Sequence, residues 1–281
     1  MRLKKIGVKT SLLDSRLLLQ NVLNITYEEL LVSAKRLVTD EENERFEKYL
    51  GRRLLREPIS KILQVKEFWK YKFRTNTATL DPRPESETII EAVLAEYQDK
   101  NRTLKILDLG TGTGCLLITL LKEFPNAKGV GIDASIDALK IAGENAATLE
   151  VSDRANFIKG NWLSGIEEKF DIIVSNPPYI KTKQIGHLAE EVKFFDPMAA
   201  LDGGEDGLDC YRIITEGLSK VMENHAKIFF EIGQWQEDDV TDLIKKNGFE
   251  VNEVRKDILG IPRVIGFNKP YLKIVASKTL H

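Results

Sequence analysis

Leu104-Lys105-Ile106-Leu107-Asp108-Leu109-Gly110-Thr111-Gly112-Thr113-Gly114 couples a short apolar run to three alternating glycines, and Cys115 to Phe124 continues it with apolar residues at helical spacing. Strand, glycine turn and helix in that order make the opening unit of a nucleotide-type α/β fold. Glycine lets such a loop turn sharply and lets its backbone approach a ligand with no Cβ in the way, although a plain tight turn would use the same residues. A dinucleotide fingerprint requires glycine at its sixth position, and here that position is Cys115. The pattern is therefore G-x-G-x-G, and the ligand is expected to be something other than a dinucleotide.

Downstream runs extend the alternation of strands and helices. Gly129 to Asp133 reads as a second strand that ends in a carboxylate, suited to accept from two ribose hydroxyls or to open the helix that follows Ser135. Asn156-Phe157-Ile158 reads as a third and leads into Gly160-Asn161-Trp162. There Asn161 offers an acceptor and Trp162 a flat apolar wall or a core side chain. Phe170 to Ser175 is an apolar run with the character of a buried parallel strand, and it delivers Asn176-Pro177-Pro178-Tyr179. The two prolines have no N–H and cannot extend a ladder, so they end the strand and leave their carbonyls free to face a crevice. The Asn176 side-chain oxygen beside the Pro177 carbonyl gives two acceptors for a planar NH₂ group, against which Tyr179 places a ring. In an open α/β sheet ligands lie beyond the carboxyl ends of the strands, so Gly110 to Gly114, Asp133, Asn161 and Asn176 are expected along one rim.

The glycine loop, with Asp108 two positions before its first glycine, resembles the first motif of class I S-adenosyl-L-methionine (AdoMet) methyltransferases. Nearly the whole chain resembles the PrmC/HemK protein-(glutamine-N5) methyltransferases, which act on peptide chain release factors. The similarity runs through Arg53 to Ile59, Glu67 to Phe73, Pro82-Arg83-Pro84-Glu85-Ser86-Glu87, Asn176 to Tyr179, Asp206 to Asp209, Glu231-Ile232-Gly233 with Gln236, and Gly260 with Arg263-Val264. The segment Pro82 to Glu87 is close to P-R-P-E-T-E of the release-factor enzymes. Departures fall at Arg56, where glycine is common, at Lys61 and Gln64, in place of Tyr and Gly, and at Pro262, in place of Asp.

The resemblance implies a Rossmann-like, seven-stranded, mostly parallel sheet with one antiparallel strand near its edge. Cofactor contacts would come from Asp108, Gly110, Thr111, Gly112, Thr113, Gly114, Asp133, Asn161, Trp162 and Asn176, with S-adenosyl-L-homocysteine as product. Asn176, Pro177, Pro178 and Tyr179 would hold the substrate amide, the glutamine of the Gly-Gly-Gln motif in class 1 release factors. The alternatives are an N-methyltransferase acting on an exocyclic base amine, for which related enzymes use the same tetrapeptide, and an AdoMet-binding protein without transferase activity.

Residues 1–70 carry Leu12, Leu13, Leu17, Leu18, Val22 and Leu23 at helical spacing and are expected to form a helical substrate-recognition domain. The run Phe68 to Leu80 suggests a β hairpin that bridges the domains, with the β-hairpin/linker assigned to 71–88, before the methyltransferase domain at 89–281. A net charge of −2 disfavours a dedicated duplex-DNA binder, and two cysteines and three histidines without ligand spacing give no expectation of a metal. With no apolar stretch near the length of a membrane span, the expectation is a cytoplasmic protein, monomeric and without a membrane or stable nucleic-acid partner.

Overall fold

The computed structural model describes residues 2–32 and 35–270, so the last part of the expected methyltransferase domain, 271–281, lies outside the described residues. The chain opens with five helices: α1 (Arg2–Lys5), α2 (Ser11–Leu23), α3 (Tyr27–Val32), α4 (Asp40–Leu54) and α5 (Ile59–Leu63). Helix α4 begins with a capping box, in which the Thr39 hydroxyl accepts from Glu42 N and the Glu42 carboxylate accepts from Thr39 N. Leu3, Val8 and Leu50 form a small core against Phe46 and Leu54. Helix α2 buries Leu18, Val22 and Leu23 but leaves Leu12 73% and Leu13 50% exposed. That is more apolar surface than this unit's own packing uses.

Strands β1 (Val65–Phe68) and β2 (Tyr71–Arg74) form an antiparallel hairpin that turns at Trp69-Lys70, with Trp69 at φ 56°. The hairpin thus lies upstream of the expected Phe68 to Leu80. Thr75, Thr79 and Asp81, which alternate like strand residues, are buried around the Lys61 ammonium instead. A 3-10 turn at Pro84–Ser86 then leads into α6 (Glu87–Glu96).

The rest alternates strand and helix: β3 (Lys105–Leu109), α7 (Cys115–Glu123), β4 (Lys128–Asp133), α8 (Ile136–Thr148), β5 (Ala155–Lys159) and β6 (Phe170–Ser175). Two short helices follow, α9 (Thr182–Ile185) and α10 (Glu190–Phe195), and then α11 (Asp209–Val221), β7 (Met222–Glu231), α12 (Glu237–Lys246), β8 (Glu250–Lys256) and β9 (Pro262–Asn268). The seven strands β3 to β9 make one sheet in the order β5-β4-β3-β6-β7-β9-β8. Pairing is parallel from β5 to β7, and only β9, next to the edge, runs antiparallel to its neighbours. This is the class I AdoMet methyltransferase fold. One face of the sheet packs on α6 and α7 through Ile89, Val93, Leu117 and Leu121; the other packs on α11 and α12 through Tyr211, Ile214, Leu218 and Val240. Burial on both faces accounts for the mostly apolar sequences of β3 and β6, interrupted only by Lys105, Asp108, Asp171 and Ser175.

Candidate active site

Parallel pairing sets Leu109 opposite Ile132 and Ser175, Asp133 opposite Lys159, and Ser175 opposite Phe230. The residues that follow, Gly110, Asn161, Asn176 and Glu231, therefore leave the sheet at the same end. The residues expected at the site lie at or just beyond the carboxyl ends of β3, β4, β5 and β6 along this rim.

The glycine loop is held from both sides. Gly110 N and Thr111 N each donate to Ile132 O at 2.9 Å, and Gly112 N donates to Asp133 Oδ2 at 2.9 Å. Gly110, Gly112 and Gly114 all have positive φ, which side chains rarely adopt, so the turn needs glycine at these three places. Asp133 also accepts from Ser135 N through Oδ1, so each oxygen is fixed by one backbone donor and keeps a second lone pair. Asp108 is 1% exposed; it accepts from the Thr111 hydroxyl at 2.6 Å, while its Oδ1 has no hydrogen-bond partner among the described residues. Burial pushes its carboxyl up to about 7, and the nearby charge of Asp133 adds to the shift. Trp162, in a left-handed turn, lays its ring over Gly110, where a Cβ would lie 3.5 Å from Cζ3. Asn161 is exposed at the mouth beside it. Thr113 is buried, its carbonyl accepting from Asn145 Nδ2 at 2.9 Å; the same Asn145 exchanges two hydrogen bonds with the backbone of Arg74 and so ties the loop to the hairpin.

These features fit AdoMet. Asp108 leaves an acceptor unpaired beneath the loop, Gly112 has open space where a Cβ would stand, the Asp133 carboxylate is oriented, and Trp162 walls the end.

At the end of β6 the Asn176 amide nitrogen donates to Ser86 Oγ at 2.9 Å, and its Oδ1 takes part in no hydrogen bond among the described residues. Ser86 Oγ donates in turn to Glu231 Oε2 at 2.5 Å, and Tyr179 OH donates to Glu231 Oε1 at 3.3 Å. Glu231 is 1% exposed, and burial pushes its carboxyl up to about 7. Gln236 fixes the tetrapeptide from below: its Nε2 donates to Tyr179 O at 3.1 Å and to Gly207 O at 3.2 Å, and its Oε1 accepts from Gly233 N. A Cβ on Gly203 would come 2.8 Å from Pro178 O, and one on Gly207 2.5 Å from Tyr179 O, so these glycines admit the Pro-Pro-Tyr backbone. Pro177 is buried, and its carbonyl accepts no hydrogen bond among the described residues. Ser86, Glu231 and Gln236 stood out in the sequence only as parts of the resemblance. Their hydrogen bonds depend on sheet register, to which local periodicity is blind.

Residues 1–63 match the PrmC N-terminal domain family, and residues 89–199 match the Methyltransferase small domain family. The release factor glutamine methyltransferase of Rhodospirillum rubrum is 42% identical over 94% of this chain and 81% of its own length. The chain belongs to the release factor glutamine methyltransferases. The Bradyrhizobium diazoefficiens member of this family is 38% identical over 95% of this chain and 91% of its own. The bifunctional methyltransferase of Rickettsia felis is 39% identical over 95% of this chain, which spans 56% of that longer protein. Among solved structures, a methyltransferase from Pyrococcus furiosus superposes with a TM-score of 0.56 at 17% identity, over 80% of this chain and all of that one. A ribosomal protein L11 methylase from Lactobacillus delbrueckii subsp. bulgaricus superposes with a TM-score of 0.52 at 19% identity, over 71% and 86%. Those two likenesses establish the fold. Family membership makes the protein an AdoMet-dependent methyltransferase and bears out the resemblance carried by the motifs. No helix among the described residues is long and apolar enough to cross a membrane, and no group of three or more His, Cys, Asp or Glu among them could hold a metal ion.

Proposed function

We propose that this protein transfers a methyl group from AdoMet to the side-chain amide N5 of the glutamine in the Gly-Gly-Gln motif of class 1 peptide chain release factors. The observation that carries the reading is the Asn176 amide. Its nitrogen is engaged by Ser86, while its oxygen, like the Pro177 carbonyl, accepts no hydrogen bond among the described residues and is available to a substrate. Bound on the glycine loop, AdoMet supplies a methyl group activated by its sulfonium. Asp108, the backbone from Gly110 to Gly114, Asp133, Asn161 and Trp162 would hold it.

An amide nitrogen is a poor nucleophile because its lone pair is delocalised into the carbonyl. Asn176 Oδ1 and Pro177 O accept its two N–H bonds, fix the plane of the amide and stabilise the positive charge that develops on nitrogen. Tyr179 supports that plane and is itself held by Glu231 and Gln236. The carboxylate nearest the tetrapeptide, Glu231, is buried behind it and is occupied by two hydroxyl donors, so rate comes from positioning and electrostatics and the proton leaves late, to water. The helical N-terminal region recognises the release factor: α2 and the hairpin line a groove of about 930 Å³ that also includes Pro58, Arg83 and Glu191. The protein acts as a monomer in the cytoplasm, with no membrane or stable nucleic-acid partner.

Purified protein incubated with methyl-labelled AdoMet and intact release factor tests this. The expected outcome is one methyl on the Gly-Gly-Gln glutamine, located by peptide mass spectrometry, and none when that glutamine is substituted. Label on nucleic acid supplied in parallel, with none on the release factor, would overturn the reading in favour of a base methyltransferase.

A further inference from the structure

We propose that Glu231 is a positioning residue for the transfer, acting through Ser86 to decide which end of the Asn176 amide faces the substrate. The inference rests on the function proposed above. An asparagine amide has two ends of nearly equal shape and opposite polarity, and only the oxygen can accept a substrate N–H. Packing distinguishes the two poorly; a hydrogen-bond partner distinguishes them well. Ser86 Oγ is that partner, but a hydroxyl both donates and accepts, so by itself it would satisfy either orientation.

Glu231 removes the ambiguity. An ionised carboxylate can only accept, and its Oε2 lies 2.5 Å from Ser86 Oγ. The single Ser86 proton is thereby committed to Glu231, and Ser86 can only accept from Asn176, whose nitrogen stands 2.9 Å away. The chain of donors runs Asn176 to Ser86 to Glu231, and Oδ1 is left for the substrate. Tyr179 OH donates to the other carboxylate oxygen, so the same buried charge also orients the ring beside the amide. The three residues come from different parts of the fold: the turn before α6, the end of β6 and the end of β7.

A protonated Glu231 could donate to Ser86, free the Ser86 proton for Asn176 Oδ1 and turn the asparagine NH₂ toward the cleft, where it would repel the substrate N–H. The groups facing Glu231 are Ser86 and Glu85 on the turn before α6, Tyr179 after β6, Arg263 on β9, Tyr211 on α11, whose hydroxyl donates to Glu231 O, and Cys115 at the head of α7. Burial dominates and raises the carboxyl to about 7; hydrogen bonds from Ser86 and Tyr179 and the charge of Arg263 oppose the rise, and Glu85 adds to it. Turnover should therefore increase as pH rises through this ionisation.

The test is release-factor methylation at saturating AdoMet and release factor across pH 5.5 to 9, for the wild type, E231Q, S86A and S86T, with AdoMet affinity by calorimetry. The glutamine of E231Q can donate as well as accept and so restores the ambiguity. Expected are a kcat for E231Q about tenfold or more below wild type at pH 8, loss of the step near pH 7 from its profile, and AdoMet Kd within about twofold of wild type. S86A should lose a similar factor and S86T should recover most of it, because threonine keeps the hydroxyl. Should E231Q fail to fold, the comparison of S86A with S86T decides. An active wild type beside E231Q or S86A of equal kcat, or an E231Q that keeps the step, overturns this assignment alone. A wild type that leaves the release factor unmethylated overturns the function and this assignment with it.

Discussion

Replacing Asn176 by alanine removes one of the two acceptors in the clamp while leaving the glycine loop and Asp133 in place. If that dipole supplies around 3 kcal/mol to the transition state, kcat should fall by about 10²-fold. AdoMet affinity, measured by calorimetry, should fall far less than kcat. Asp108 makes a different trade. Its carboxyl stands at about 7 in the folded chain against an ordinary 3.8. Below about pH 4 both folded and unfolded chains carry the proton, and across pH 4 to 7 only the folded chain keeps it, so stability falls as pH rises and the penalty is complete above 7. Asp108→Asn should therefore melt higher than the ligand-free wild type at pH 8. The advantage should shrink at pH 5, and AdoMet should bind more weakly. Thermal unfolding at the two pH values together with calorimetry checks both halves.

The hairpin shows how an element can be displaced from its sequence reading. Strands β3, β4, β5 and β6 fall where their apolar runs place them, and for the central β3 and β6 burial on both faces is the reason those runs are so apolar. The stretch Thr75 to Leu80 has equally strand-like alternation, but its side chains answer to Lys61. That lysine is 2% exposed, donates to Asn76 O and Thr79 O, and pairs with Asp81 at 2.8 Å. It also lies 3.3 Å from the buried Asp196 Oδ1, at ion-pair distance but without a hydrogen bond. Burial alone would raise the carboxyl of Asp81, yet Lys61, Ser60 and Thr75 together hold it below its usual range. No periodicity announces a buried lysine, so the hairpin was displaced by one partner. The glycine loop could be read because its residues are adjacent in the chain, whereas Ser86 and Glu231 are 145 residues apart and meet only through sheet order. Two of the departures from the family pattern also acquire a physical account: Arg56 at φ 70° and Gln64 at φ 56° occupy left-handed positions, where glycine is the easier residue. Lys61→Ala would leave the buried Asp81 without its cation and Asp196 with Arg83 alone, and should cost about 3–5 kcal/mol in urea unfolding.

Across the whole molecule, the N-terminal helices are clasped to the segment that follows the Asn-Pro-Pro-Tyr turn. Arg53, on α4 and 5% exposed, donates to Asp14 on α2 at 2.7 Å and to Glu191 on α10 at 3.2 Å, and Arg56 reaches Glu190 and Glu191. Arg83, at the entry to the catalytic region, holds Asp196 at 2.6 Å. In the proposed function these contacts would hold the groove, whose α2 wall would receive the release factor, against the segment that follows Asn176 to Tyr179. Leu17 lies on that wall at 36% exposure. Leu17→Asp should raise the KM for release factor by about tenfold, the equivalent of 1.4 kcal/mol at a contact residue, with kcat and AdoMet affinity little changed in steady-state assays.

If Asn176 Oδ1 and Pro177 O clamp the amide as proposed, those two acceptors also set a count. A primary amide brings two N–H bonds and fills both; once methylated it has one, and the other acceptor faces a methyl group that cannot donate. The product is thus a worse ligand than the substrate by one hydrogen bond, and a second transfer would have to begin from a misfitted amide. Such a pocket releases what it makes and stops at one: long incubation with excess AdoMet should yield monomethylglutamine and no dimethyl form by mass spectrometry.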